Sequence, residues 1–522
     1  MESSFLSVLP ALLAIGLAFW TRNVFLSLGA ALYVASCTIL WGGYGVGPTS
    51  LYFGVGEMGD HVYGSISSLD NIKVTVFSLL VGATVSVMAV SGGTQGLVNA
   101  LMGFARNRRS GMLATWAAGL AVFFDDYANC MIVGSGMRPL ADKLKISREK
   151  LAYIVDSTAA PIASLALIST WVGYEVSMME KGISQAVSEG VLTANEAMDP
   201  YGFFVSGIGY RFYCIFTIFF VMFIATTGRD FGPMLRAERA AQQAGGDADD
   251  GTQKTGRASL AVLPMMILIG TAMGHLYLGG VASLEAQVAA GDMEAGAFSL
   301  TDIFGAADGY QAMLMASIFS VSSAALLALV AGTASVTQIL AAGLDGMGKM
   351  VGALLVLVLA WSLASAIGEL QAGPYLEGLI SGNVPVVLFP TLVFFVAAAT
   401  AFATGTSFGT MGILVPTVVF LSFSMSTDPV LHYAASGAVL SGACWGDHCS
   451  PISDTTVLSS LGTGCDHIEH VRTQMPYAMV CGLISVLLGS LPVMFGLSVW
   501  ACLVLGVGMC WVSIRILGKE IA

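Results

Sequence analysis

The chain has 522 residues, of which 56% are hydrophobic and only 10% charged, and its mean hydropathy is +0.80. Soluble domains carry about 25% charged residues, so this composition excludes an ordinary soluble fold. Apolar segments of about 20 residues recur along the chain, which indicates a polytopic helical membrane protein rather than a membrane β-barrel. The net charge of −12 lies mostly in expected outer loops, and a nucleic-acid partner is not expected.

Two apolar segments open the chain, and an acidic stretch with Glu57, Asp60 and Asp70 follows them. This stretch lacks the Lys and Arg residues that mark cytoplasmic loops. We therefore predict that residues 1–71 form N-terminal helices and an outer loop. The start of the chain has no basic stretch and no evident cleavage site, so a removed signal peptide is not expected.

The next unit, residues 72–226, contains an apolar segment at 111–137 that has basic residues at both ends. Because basic residues mark the cytoplasmic side, both ends are expected in the cytoplasm. A segment with both ends on one side cannot be a simple crossing. We predict a re-entrant hairpin with Asp125 and Asp126 near its tip. A further polar break, at Asp156, interrupts the span that follows.

Residues 227–348 are predicted to connect the two halves of the chain. The polar stretch 228–258 is rich in Gly, Asp and basic residues. Such a composition is typical of a flexible linker, which we place in the cytoplasm. Two apolar spans follow it, at 260–280 and 310–330.

The pattern of broken helices returns in residues 349–495, where a second hairpin is predicted at 386–426. This hairpin is flanked by Glu377 and Asp428 and by no Lys or Arg, so we expect it to enter from outside. Similar units in opposite orientation make an inverted-topology repeat, and matching broken helices mark the binding site of a transporter. The predicted fold is an all-α polytopic membrane protein of about 12–14 helical segments, with inverted repeats, two re-entrant hairpins, broken helices and a C-terminal helix at 496–522.

Helix breaks at bilayer depth expose backbone carbonyl and N–H groups. Together with Asp carboxylates and Ser or Thr hydroxyls, the carbonyls are hard oxygen ligands that suit a small cation such as sodium. An aspartate can also carry a proton there, since burial disfavours its charged form. His448 could share the proton role, because imidazole titrates near neutral pH. One carboxylate that binds either ion is enough to couple sodium and protons in antiport.

The candidate ion- or substrate-binding residues lie at these breaks. They are Asp125, Asp126, Asn129, Asp156, Ser157, Thr158, Thr404, Thr406, Ser407, Asp447, His448, Ser450, Asp454 and Thr455. Sodium is expected at a subset of Asp126, Asp156, Asp447 and Asp454. We expect no catalytic residue and no bound cofactor. Structural alternatives stay open, since an aspartate can cap a helix, Asp447 and His448 can form a buried pair, and the hydroxyls can satisfy a turn.

Other polar residues are interpreted as surface. Glu369 lies near the expected outer face and is either ordinary surface charge or a site residue. His467, Glu469, His470 and Arg472 are interpreted as a solvated cytoplasmic surface. The nine cysteines contain no CxxC pair, so neither a zinc site nor a disulfide framework is predicted.

Four segments of the chain resemble the NhaC-type sodium/proton antiporters. They are residues 123–129 (FFDDYAN), 152–161 (AYIVDSTAAP), 403–410 (ATGTSFGT) and 446–456 (GDHCSPISDTT). The likeness extends over most of the chain. It implies a multi-pass carrier of the bacterial inner membrane, within the wider ion-transporter superfamily, with sodium and protons as coupling ions. It is also compatible with a homodimer.

The favoured function is sodium/proton exchange by alternating access. The alternative is sodium- or proton-coupled transport of a small organic solute, such as an amino acid, an organic acid or a drug, because the hairpin tips could hold a carboxylate. We expect no Arg or Lys at membrane depth to pair with one, which favours a cation as cargo. Asp447, His448 and Ser450 are too close in sequence to converge as a hydrolase triad. An inverted repeat within one chain disfavours a channel.

Overall fold

The structure of the chain is a computed structural model. It describes residues 5–21, 23–44, 46–102, 105–123, 125–193, 197–243, 256–290, 298, 303, 306–370, 375, 384–451 and 453–521. These residues are almost entirely helical. A two-stranded antiparallel sheet joins β1 (Arg229–Asp230) to β2 (Lys519–Glu520) near the end of the chain.

The helices of the first half lie in the predicted apolar segments and between them. In chain order they are α1 (Phe5–Thr21), α2 (Val24–Tyr44), α3 (Pro48–Ser67), α4 (Leu69–Val90), α5 (Gly93–Met102), α6 (Arg108–Ala121), α7 (Asp126–Lys143), α8 (Arg148–Asp156), α9 (Ala160–Leu165), α10 (Thr170–Ser188), α11 (Pro200–Gly207), α12 (Phe212–Thr227) and α13 (Gly232–Gln243). A 3-10 turn at Ile208–Tyr210 joins α11 to α12.

The helices of the second half are similarly interrupted. They are α14 (Ser259–Ala290), α15 (Gly309–Val330), α16 (Val336–Glu369), α17 (Phe389–Thr404), α18 (Ser407–Met425), α19 (Pro429–Cys449), α20 (Asp454–Thr463), α21 (His467–Ile484), α22 (Leu491–Met494) and α23 (Val499–Leu517). A 3-10 turn at Val386–Leu388 precedes α17, and a π-helical segment at Ser485–Ser490 joins α21 to α22.

Among the described residues, eight helices are long and apolar enough to cross a membrane, and up to ten spans result when each bent pair counts as one. The bent pairs are α8–α9 with α10 and α11 with α12, each bent by 48°. Helices satisfy their own backbone polar groups, which is why they can cross lipid. The predicted all-α polytopic class is confirmed, whereas the division into domains and the inverted repeat stay predictions.

Helices α6 and α7 lie where the first hairpin is predicted. The start of α6 and a residue just after the end of the pair both contact the side chain of Glu238. Glu238 forms an ion pair with Arg108 at the start of α6, and it accepts a hydrogen bond at 2.8 Å from the N–H of Ser147, just beyond α7. Helix α6 has 14 residues, a length of about 21 Å, which is shorter than the ~30 Å hydrocarbon core of a bilayer. The turn places Asp125 and Asp126 in the interior. Entry of this hairpin into a membrane stays a prediction.

Helices α17 and α18 form the second pair, joined by a short turn at Gly405 and Thr406. Gly405 has a left-handed φ of 68°, and its N–H donates to the carbonyl of Ala401 at 2.8 Å. Glycine suits this position because it has no Cβ to clash with the backbone. The turn lies at the candidate site residues Thr404, Thr406 and Ser407, inside the hairpin predicted at 386–426.

The acidic stretch after α2 is a helix, so the prediction of a loop there is wrong. Proline at the first position of α3 favours a helix start, since its φ is already fixed near the helical value. The buried residues of α3 are Ser50, Gly54, His61 and Ser65, which recur at helical spacing on one face. This face is small and polar rather than apolar, so mean hydropathy does not reveal it.

The predicted flexible linker is also partly wrong. Residues 229–230 form β1 and residues 232–243 form α13, which packs against α8 and α21. Asp230 pairs with Lys150 of α8 and accepts a hydrogen bond from the Tyr477 hydroxyl at 2.6 Å. These partners offset part of the cost of burying the charges. The linker residues 244–255 lie outside the described residues.

Helices α4 and α16 cross closely at Gly82 and Gly346. A Cβ atom on Gly82 would lie 2.7 Å from the carbonyl oxygen of Gly346 and 2.7 Å from Cγ of Met350, well inside van der Waals contact. Small residues of this kind let helix backbones approach one another in membranes. The crossing matters for the site because both helices line cavities that reach Asp125.

We expect Gly346→Ala to lower the melting temperature of the purified protein, because the added Cβ overlaps the backbone of Gly82. Overpacking of this kind typically costs about 1–3 kcal/mol. Gly348→Ala is the matched control on the same helix, since among the described residues its Cβ meets nothing within 4 Å. Thermal unfolding in detergent measures both variants. Equal melting temperatures would contradict the close crossing.

Candidate functional site

Asp156 ends α8 at the point where the span breaks before α9, and its side chain is fully buried. Its Oδ2 accepts hydrogen bonds from Thr456 Oγ1 at 3.0 Å and from Gln474 Nε2 at 2.6 Å. Within the described part of the chain, its Oδ1 has no hydrogen-bond partner. A buried carboxylate oxygen without a hydrogen bond lowers the stability of the folded protein, and it is available to bind a cation.

Gln474 of α21 joins the break at Asp156 to a second break. Its Nε2 also donates to the backbone carbonyl of His448 at 3.0 Å, and its Oε1 lies 3.0 Å from His470 Nε2. That imidazole nitrogen is 3.9 Å from Asp156 Oδ2, and His470 Nδ1 is 2.8 Å from Ser460 Oγ. A buried carboxylate and a buried titratable ring therefore share one enclosed polar site.

Asp447 and His448 lie in the last turn of α19, and both are buried. Asp447 Oδ2 accepts a hydrogen bond from Thr455 Oγ1 at 3.2 Å. His448 Nδ1 lies 2.9 Å from the hydroxyl of Tyr213, while its Nε2 has no hydrogen-bond partner among the described residues. Because Gln474 donates to both Asp156 and the carbonyl of His448, its side chain links the helix break after Asp156 to the break after α19.

Asn129 links the first hairpin to the break after Asp156. Its Nδ2 donates to the carbonyls of Gly119 at 2.7 Å, Val122 at 3.2 Å and Thr158 at 2.8 Å. The amide thus holds the two arms of the hairpin together and fixes them to the break. Thr158 is buried there and contributes its carbonyl to this link.

The polar residues of the second hairpin mostly satisfy its own turn. The Thr404 hydroxyl donates to a backbone carbonyl of its own helix at 2.9 Å. The Thr410 hydroxyl donates to the carbonyl of Thr406 at 3.1 Å. Ser450 Oγ donates to a carbonyl of α17 at 2.7 Å, which ties the hairpin to the second break. Ser407 Oγ is buried without a hydrogen-bond partner among the residues that the structure describes.

Asp125 and Asp126 line a small cavity of about 20 Å³, which is room for about one water molecule. Its polar wall includes Thr170 and the hydroxyl-bearing Tyr174, whose Oη donates to the carbonyl of Phe408 at 2.7 Å. Phe408 belongs to the first turn of α18. The tips of both hairpins therefore border this cavity.

A larger cavity of about 450 Å³ also reaches Asp125. It lies among α4, α7, α16 and α20, and its wall contains Ser86, Tyr127 and Lys349. Lys349 pairs with Asp345 one turn away at 2.7 Å. A cavity of this size with a carboxylate and an ammonium group in its wall can hold a hydrated ion or a small polar molecule.

Lys349 and Arg211 bear on the expectation that no Arg or Lys lies at membrane depth, an expectation that stays a prediction. Lys349 lies inside α16, which is one of the candidate spans. Arg211 lies fully buried at the bend between α11 and α12, 2.9 Å from Glu175 Oε2 and 3.2 Å from Ser164 Oγ. Hydropathy alone does not distinguish a basic residue at a bend inside the protein from one in a loop. The partner, Glu175, lies on another helix.

His470 and Gln474 are site residues that the sequence analysis missed. The assignment of His470 to a solvated surface is wrong, since it is fully buried, whereas on the same helix Arg472 is exposed and Glu469 partly exposed. His470, Gln474 and Tyr477 recur every three to four residues on the buried face of α21. This amphipathic spacing is the signal that could have identified them.

The network contains seven of the candidate residues predicted from the sequence. They are Asn129, Asp156, Thr158, Asp447, His448, Ser450 and Thr455. Ser157, next to Asp156, is buried as well. Asp454 begins α20, but its side chain lies outside the described residues. The assignment of sodium to any of these carboxylates stays a prediction.

Comparison with known proteins agrees with this architecture. A protein of Haemophilus influenzae, described as uncharacterized, is 34% identical over 482 residues, which are 91% of this chain and 88% of that protein. The Na(+)/H(+) antiporter NhaC of Alkalihalophilus pseudofirmus is 29% identical over 21% of this chain and 27% of its own length. The malate-2H(+)/Na(+)-lactate antiporter of Bacillus subtilis is 30% identical over 27% of this chain and 30% of its own length.

Two solved transporters share the fold. The YdaH transporter of Alcanivorax borkumensis matches with a TM-score of 0.61 and 15% identity, over 88% of this chain and 91% of its own. MtrF of Neisseria gonorrhoeae matches with a TM-score of 0.54 and 12% identity, over 92% of this chain and 94% of its own. The fold is that of a multi-pass membrane transporter. The sequence profile of the Na+/H+ antiporter family matches residues 162–491, and the chain belongs to that family.

We expect Arg211→Met to destabilise the protein by about 3–5 kcal/mol, because it leaves the Glu175 charge buried without its partner. The double variant Arg211→Met/Glu175→Gln should recover much of this loss, since it removes both charges. Thermal unfolding of the purified variants measures the difference. A double variant as unstable as the single one would show that the ion pair is not the cause.

Proposed function

We propose that this protein exchanges Na+ for H+ across the bacterial inner membrane by alternating access, and that the two ions compete for Asp156. One observation carries the proposal: a fully buried carboxylate lies at a helix break with one oxygen lacking any hydrogen-bond partner among the described residues. Membership of the Na+/H+ antiporter family supports the same chemistry.

The oxygen atoms around Asp156 would suit sodium. Thr456 Oγ1 is within hydrogen-bond distance of the carboxylate. Asn129 bonds the carbonyl of Thr158, two residues beyond Asp156, and its Oδ1 is buried with no hydrogen-bond partner among the described residues. Carboxylate, hydroxyl and amide oxygens are the ligands that hard cations prefer. Sodium at this carboxylate would occupy a polar position between elements from both halves of the chain.

The neighbouring imidazole gives a physical reason for competition between the two ions. His470 Nε2 lies 3.9 Å from the Asp156 carboxylate, so a protonated ring would place a second positive charge beside bound sodium. Two like charges on neighbouring groups in a buried site repel each other, and this repulsion lowers the affinity of the site for sodium. A proton on either group would therefore help to release sodium.

We expect Asp156→Asn to lower the rate of sodium-dependent proton flux at least about a hundredfold, because the amide cannot carry the negative charge that both ions require. The measurement is the internal pH of liposomes that hold purified protein, after a pulse of external sodium. We expect Asp126→Asn and Asp447→Asn to lose coupled flux as well.

Asp428→Asn is the matched control. Asp428 caps α19 at an exposed position, and asparagine preserves the hydrogen bond that its side chain accepts from the N–H of Val430. This variant should exchange ions at the rate of the unmodified protein. Normal exchange by Asp156→Asn would remove Asp156 from the mechanism.

A second candidate function is coupled transport of a small organic acid. It is favoured by the cavity of about 450 Å³, whose wall includes Asp125 and also Lys349, which pairs with Asp345 on its own helix. Ligand cavities typically measure about 300–1,000 Å³. The Bacillus subtilis relative named above as a malate and lactate antiporter supports this direction.

If an organic acid is carried, external L-malate or L-lactate should change the rate of sodium uptake into liposomes, and Lys349→Gln should reduce this effect at least about tenfold. The loss of a charge-assisted contact to the solute is the physical reason. Lys519→Gln, in the exposed strand β2, is the control. If neither acid changes the rate of sodium uptake, organic-acid transport is contradicted and sodium/proton exchange remains the proposed function.

A further inference from the structure

Glu57, His61 and Glu369 form a compact cluster at the opposite end of α16 from Gly346 and Lys349. His61 Nε2 lies 3.8 Å from Glu57 Oε1 and 3.8 Å from Glu369 Oε2, and the three ligand atoms lie within 4.8 Å of one another. Glu57 and His61 are one helical turn apart on α3, so their side chains project from one face. Glu369 is the last residue of α16.

The imidazole of His61 is aimed into this cluster. The residue is only 9% exposed, and among the described residues its Nε2 has no hydrogen-bond partner. Both carboxylates are too far from that nitrogen for a hydrogen bond, which requires about 3.2 Å or less. A ring nitrogen buried beside two carboxylates, yet bonded to neither, is unsatisfied without a further ligand.

The other ring nitrogen is already held in place. His61 Nδ1 lies 3.3 Å from Oγ of Ser365, one turn before Glu369 on α16. In metal sites the second nitrogen of a histidine ligand commonly bonds a neighbouring group, which orients the ring and leaves Nε2 for the metal. A hydrogen bond at 3.2 Å between Ser65 and Ser362 fixes α3 against α16 close by.

We propose that Glu57, His61 and Glu369 bind a divalent transition-metal ion such as Zn2+. Zinc binds imidazole nitrogen and carboxylate oxygen at about 2.0–2.2 Å, so its tetrahedral ligand atoms lie about 3.4 Å apart. The two 3.8 Å separations from His61 would shorten by about 0.4 Å, and the two carboxylates, which lie within 4.8 Å of each other, would approach by at most about 1.4 Å through side-chain rotation. Glu369 is 55% exposed, which leaves solvent access for a water as the fourth ligand.

The ion joins α3 to α16. Met350, Leu354 and Leu357 of α16 line the small cavity at Asp125 and Asp126, so the metal anchors one end of a helix that borders the candidate transport path. An imidazole ligand favours zinc and its transition-metal neighbours over Mg2+ or Ca2+, which prefer oxygen alone. The inference does not depend on which ion or solute the protein transports.

The test is titration calorimetry of the full-length protein, with its affinity tag removed and treated with chelator, against ZnCl2. We expect one Zn2+ per chain, and at least tenfold weaker binding by His61→Ala and by Glu369→Gln. Saturating Zn2+ should also raise the melting temperature, because an ion that binds only the folded state stabilises it. MgCl2 at the same concentration should give no such shift.

His275→Ala is the control, since this histidine lies on α14 and is not part of the cluster. It should bind Zn2+ as the unmodified protein does. Glu369→Gln changes an exposed residue, so it keeps the test informative if His61→Ala does not fold. Absence of Zn2+ binding, or equal binding by Glu369→Gln and His275→Ala, would overturn the proposal.

Discussion

The buried carboxylate of Asp156 is the constraint on which the arrangement of the helix breaks depends. A charge inside a membrane protein is costly unless polar groups surround it. Here those groups come from the other end of the chain, because Thr456 and Gln474 donate to one carboxylate oxygen. The same glutamine holds the carbonyl of His448, so satisfying one charge brings the two polar breaks together.

The helices that carry this site are also fixed at a second place. Lys150 lies on α8, one and a half turns before Asp156, and Tyr477 lies on α21, one turn beyond Gln474. Both contact Asp230, in the strand that precedes α13. The segment between the two halves of the chain therefore contributes a buried carboxylate that holds α8 and α21 together. Any movement that separates these helices must also break contacts at Asp230.

The sequence predicts the all-α class and the position of the polar breaks because proline, glycine and aspartate interrupt long apolar runs. It also identifies Asp156, Asp447 and His448 as candidates. The sequence does not identify His470, because this histidine lies among charged residues and is therefore interpreted as solvent-exposed. Only the structure shows that it lies on the buried face of α21. The pairing of Arg211 with Glu175 depends on how distant helices pack, which local patterns do not encode.

The most direct test of competition at one carboxylate is equilibrium binding of radiolabelled sodium to the purified protein across a range of pH. If one proton displaces one sodium ion, the dissociation constant for sodium should rise by about tenfold per pH unit on the acidic side of the titration, with unchanged stoichiometry. Asp156→Asn should bind no sodium at any pH. A dissociation constant that stays constant with pH would contradict a shared site and would require separate paths for the two ions.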